Sequence, residues 1–215
     1  MEGLGALAGG SAVSGAHDAE RVVDEAWRLL DQGRAKNARR MLEDLLAGGG
    51  LDPLDEADAR HLLGSVLEEL GDSRGMVREW LLVRRLDAAD DPPRPRLSPK
   101  HFERVAERAL AELPEALREQ LGNVAVLVDD RPTELLVRDG VDPRLLGLFS
   151  GVSMPDQSTL GGAPFPTVIT LFQRNLEAEA DDDAELAEQI RITVIHETAH
   201  YFGLSDDDLE RLGLG

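Results

Sequence analysis

Apolar residues recur at helical spacing from Asp18 to Asp90, and short apolar runs of strand type appear after residue 120. Val22, Val23, Ala26, Leu29 and Leu30 make the first stripe, ended by Gly33. Ala38, Met41, Leu42, Leu45 and Leu46 make the second, closed by a loop at Gly48, Gly49 and Gly50 with Pro53 beyond. Ala59, Leu62, Leu63, Val66, Leu67 and Leu70 make the third, ended by Gly71, and Met76, Val77, Trp80, Leu81 and Val83 the fourth. Ser98 and Pro99 read as the N-cap and first residue of a fifth helix, which buries Phe102, Val105, Ala106, Ala109, Leu110 and Leu113. Three strands are expected next, over 124–128, 145–152 and 167–172; the last is rich in β-branched residues. A long helix over about 184–202 closes the pattern. The acidic run Asp181, Asp182 and Asp183 complements the positive end of its dipole and lacks the spaced ligands and glycine of a calcium loop.

The first four helices read as two copies of one hairpin. Gly33 matches Gly71, Ala38 matches Met76, Leu42 matches Trp80 and Leu45 matches Val83, at an offset of about 38 residues. With Leu63-Gly64, Leu67, Leu70-Gly71 and Trp80, the second copy resembles a tetratricopeptide repeat, although Met76 stands where a small residue is usual. Such a region implies either a peptide-binding surface or a hairpin pair that only packs. Residues 91–97 hold several prolines among charges and read as a stiff linker. The expected organisation is a disordered tail over 1–17, a helical region over 18–90, the linker over 91–97 and a C-terminal domain over 98–215.

Composition narrows the partners. Acidic residues outnumber basic ones 42 to 23, for a formal charge of −19. A surface that negative repels nucleic-acid phosphates and anionic lipids, so both are set aside. No run is long and apolar enough for a membrane helix, and residues 1–16 lack the basic start and apolar core of a signal peptide. The expected location is the cytoplasm. Heavy use of Arg, Ala and Gly fits a GC-rich bacterial coding bias. Cysteine is absent, so any metal must be held by His, Asp, Glu or water.

The segment that carries chemistry is His196-Glu197-Thr198-Ala199-His200, an H-E-x-x-H pattern on the last long helix. Residues four apart lie about 40° apart around a helix, so both imidazoles point to one side and one tetrahedral ion can take both. Glu197 lies beside them as a base for the attacking water, which zinc makes acidic to a pKa of about 7. Gly203 can end the helix at positive φ and turn the chain, so that Asp206 returns a carboxylate to the ion. Asp206 has a competing role as a first-turn acid behind a Ser205 N-cap, with Asp207 or a water then completing the site. The segment 192–204 is apolar nearly all round and predicts a buried helix, in which two histidines and a glutamate need partners. His17, His61 and His101 have no partners at metal spacing, and Tyr201 falls on the side away from the ligands as a core residue. No G-x-S-x-G motif is present, and the nine residues after Asp206 leave no room for a Met-turn.

On His196-Glu197, His200, Phe202-Gly203-Leu204-Ser205-Asp206, and more loosely Leu113-Pro114-Glu115, Leu145 to Phe149 and Ile169 to Phe172, the region from about Ser98 resembles the bacterial minimal zincin-like metallopeptidases. The resemblance implies an α+β fold, in which a small domain with a short mixed sheet and an active-site helix follows the helical hairpins. It also implies a Zn2+-dependent peptidase acting on a peptide or protein, with metal ligands His196, His200 and Asp206 and general base Glu197. An extended substrate is expected along the 167–172 strand. Two other readings stay open. One is a non-catalytic adaptor that binds a protein partner through residues 18–90 and keeps a structural or vestigial zinc. The other is a small-molecule amidohydrolase.

Overall fold

The fold was read from a computed structural model, which describes residues 10–113, 115–121, 124–151, 168–205 and 211. The chain divides into two compact units, one of residues 1–91 with 133–143 and the other of 92–132 with 144–215.

The first unit is helical. Helices α1 (Gly10–Asp31), α2 (Ala35–Gly48), α3 (Pro53–Glu69) and α4 (Ser73–Asp90) follow the four predicted stripes. α1 begins at Gly10, within the segment expected to be a tail. The two hairpin turns are alike: Gly33 and Gly71 have φ of 69° and 75°. Each turn is closed by the same pair of backbone bonds, Gly33 N to Leu30 O with Arg34 N to Leu29 O, and Gly71 N to Glu68 O with Asp72 N to Leu67 O. The core gathers Ala26, Leu29, Ala38, Leu42, Leu62, Val66, Leu67 and Trp80. The short helix α7 (Glu134–Arg138) adds Val137 to it. His61 Nε2 lies 2.9 Å from both carboxylate oxygens of Asp142, beyond α7, and ties that excursion to α3. Glu79 is buried and satisfied by Arg60 at 2.7 Å and Arg78 at 3.0 Å.

The second unit is α+β. It holds α5 (Pro99–Glu112), α6 (Glu115–Leu121), β1 (Ala125–Asp129), β2 (Gly147–Ser150), β3 (Val168–Phe172), α8 (Gln173–Ala178) and α9 (Asp183–Tyr201). The sheet order is β1-β3-β2, parallel between β1 and β3 and antiparallel between β2 and β3. β3 is therefore the central strand, and Ile169, Leu171 and Phe172 are fully buried. This corrects the expectation that a substrate lies along 167–172, because both of the strand's hydrogen-bonding edges are already taken. Phe102, Ala106 and Ala109 of α5 pack with Leu186, Ile190 and Val194 of α9 and with Ile169 and Leu171 of the sheet. Leu97, at the end of the proline-rich stretch, is buried and bonded at both backbone groups, its N–H to Glu177 and its carbonyl to the Gln173 side chain.

α9 starts at Asp182, whose carboxylate accepts from Ala184 N at 2.8 Å and Glu185 N at 2.9 Å. The Glu185 and Ala184 amides hold the Asp182 carboxyl below its ordinary range, because they favour the ionised form. A depressed carboxyl stabilises the fold fully above its unfolded pKa and loses that effect as pH falls through the folded pKa. Asp182→Ala is therefore expected to speed amide exchange at Ala184 and Glu185 several-fold at neutral pH. The two proteins should converge in acid below the usual Asp range. Equal exchange at neutral pH would show that the cap contributes nothing.

Candidate metal centre

The fold places His196, Glu197 and His200 on the last two turns of α9. The helix is not buried all round, as its composition suggested. Ile192 is 39% exposed, and His196 and His200, four and eight residues on, are half-buried. These three share one stripe, so the helix keeps an open face where the two histidines stand. The opposite side carries Val194, Thr198 and Tyr201, all buried; Tyr201 stacks edge-on against Phe149 at 6.0 Å, as a core residue.

The two imidazole rings have centroids 4.7 Å apart and planes at 79°. Two nitrogens each about 2.0–2.1 Å from a zinc ion stand no more than about 4.2 Å apart, and rings this close allow it. His200 Nδ1 is 3.0 Å from Leu204 O. A carbonyl can only accept, so Nδ1 carries the proton and the neutral ring presents Nε2 as its lone-pair nitrogen. That contact depends on the helix end. Gly203 adopts φ of 80°, and Gly203 N to His200 O with Leu204 N to Ala199 O folds the chain back over the last turn. These donors fit zinc in type and spacing.

Glu197 sits on another side of the helix from the open stripe. It is 6% exposed, and its Oε2 accepts from Phe149 N of β2 at 2.7 Å. Asp206, with Asp207, lies outside the described residues, and among the described residues no group of three metal-binding side chains forms. His61 is paired with Asp142, and His101 is exposed on α5. The contribution of β2 was not anticipated. A signal was present in the glycine that interrupts the apolar run at 145–149, since a strand glycine marks close backbone approach. No helix among the described residues is long and apolar enough to cross a membrane.

Residues 121–215, a little under half of the chain, match the family model described as Zincin-like metallopeptidase. No curated protein matches the chain.

Proposed function

We propose that the chain is a zinc-dependent peptidase, a reading supported by the match of residues 121–215 to the zincin-like metallopeptidase model. The observation that carries this reading is the pair His196 and His200 on the open stripe of α9, with the His200 tautomer set by Leu204 O. His196 and His200 are the proposed protein ligands. Asp206 is the proposed third, supported by the reversal of the chain at Gly203. Bound zinc supplies Lewis acidity, which polarises a carbonyl and acidifies water. Glu197 takes the proton of the attacking water on its carboxylate and passes it to the leaving amine. The scissile carbonyl approaches the open stripe, since β3 is interior to the sheet.

The test is zinc loading of the full chain followed by elemental analysis and digestion of a peptide library. One zinc per chain is expected, lost in His196→Ala and His200→Ala, and weakened about 10–100-fold in Asp206→Ala. A wild-type protein that takes up no zinc overturns the proposal. Zinc uptake without any cleavage would move the reading to the adaptor.

A further inference from the structure

We propose that Gly147 is a positioning residue for Glu197: having no side chain, it lets β2 lie against α9 closely enough for the Phe149 N–H to hold the Glu197 carboxylate. The role assigned to Glu197 rests on the peptidase reading; the contact itself does not.

The register shows why that N–H is available. Phe172 N donates to Leu146 O, and Leu148 stands opposite Thr170. Residues of an antiparallel strand alternate in the side to which they turn their backbone groups, so Leu146 and Leu148 face β3 while Gly147 and Phe149 face away from it. The Phe149 N–H thus points off the edge of the sheet, where an amide ordinarily meets water or another strand. Here it meets Glu197 Oε2 at 2.7 Å.

The approach of strand to helix leaves no room for a methyl group. A Cβ on Gly147 would stand 2.6 Å from Thr193 Cγ2, 3.0 Å from Glu197 Cγ and 3.1 Å from Glu197 Oε1. Thr193 and Glu197 are four residues apart on one side of α9, and both are buried beneath β2. Part of the clash is with the base's own stem and carboxylate. Rotation of Thr193 can relieve the Cγ2 contact, but relieving the contacts with Glu197 Cγ and Oε1 shifts Glu197 relative to β2, and the 2.7 Å bond spans that gap. Gly147 has no positive φ to explain its presence, so close approach is its structural reason. The bond fixes one carboxylate oxygen and with it the plane of the carboxylate. A misplacement of about 1 Å in a reacting group costs on the order of 10²-fold in rate.

The test compares amide hydrogen exchange and kinetics in the full-length chain. In wild type the Phe149 amide should be protected at least tenfold over an open strand-edge amide. In Gly147→Ala that protection should fall at least tenfold, while the amides of α9 around Ile190 and Val194 keep theirs. General loosening of the unit would speed all of them together. Adding Thr193→Ser removes the Cγ2 contact and should restore part of the Phe149 protection. With a cleavable peptide, Gly147→Ala should lower kcat by about 10–100-fold with KM and zinc content little changed. Should Gly147→Ala fail to fold, Glu197→Ala decides the matter, since the Phe149 amide must then lose its protection. A wild-type Phe149 amide that exchanges freely, or a Gly147→Ala protein that keeps its protection and its kcat, overturns the proposal. A protected Phe149 in a protein that cleaves nothing would instead count against the peptidase reading and leave the contact standing.

Discussion

Replacing Glu197 by Gln is expected to lower kcat for peptide hydrolysis by about 10²–10⁴-fold while zinc stays bound. The amide has nearly the shape of the carboxylate, and its oxygen can still accept from Phe149 N, so the contact between β2 and α9 survives. What the amide cannot do is take a proton from water near neutral pH. Glu197 also lies off the stripe that carries His196 and His200, so in the proposed reading it neighbours the metal without ligating it. Zinc content and catalysis should therefore separate. Glu197→Gln keeps the first and loses the second, whereas His200→Ala loses both. Two outcomes contradict this assignment. Loss of zinc in Glu197→Gln would make the residue a ligand. A kcat within about threefold of wild type would mean that another group takes the proton.

Trp80→Ala is expected to cost the helical unit about 3–5 kcal/mol, a large share of the roughly 5–15 kcal/mol that holds a typical domain. Trp80 is 3% exposed in the core formed with Leu62, Val66 and Leu67. Its Nε1 donates to His61 O at 3.3 Å, and its ring stacks on His61 at a centroid distance of 6.4 Å. Gly64 makes the seat, since a Cβ there would run into the indole ring. Truncation leaves a cavity between α3 and α4, helices already committed to their hairpin. Trp80→Phe should cost much less, because it keeps most of the apolar contact and gives up mainly one hydrogen bond. Denaturant unfolding followed by circular dichroism reads both variants. Equal midpoints for wild type and Trp80→Ala would show that the core does not depend on this side chain.

Much of this architecture is legible without coordinates because it is periodic. The 3.6-residue stripes locate α1 to α5 and α9, and the runs at 124–128 and 167–172 fall on β1 and β3, with β1 shifted by one residue. The short helices α6, α7 and α8, of 5 to 7 residues, escape such a reading because two turns or fewer establish no period. α7 did carry a local sign in the Thr133 hydroxyl, which accepts from Leu136 N at 3.3 Å. The excursion of 133–143 into the helical unit had none. It depends on Val137 entering that core and on a His61–Asp142 pair 81 residues apart in sequence.

The amino-acid sequence by itself determined that His196, Glu197 and His200 share the end of one helix and that a glycine turn follows them. Those are consequences of helical spacing and of what Gly203 alone can adopt without strain. Tertiary structure decided which sides of that helix are open and which are covered. It left the stripe of Ile192, His196 and His200 accessible and pressed Glu197 against an edge strand. It also made β3 central, closing the edge expected to receive a substrate. The physical reason is the same in each case. Local spacing sets the direction of a side chain relative to its own helix, but exposure and hydrogen-bond partners come from segments far off in the chain, brought close by packing.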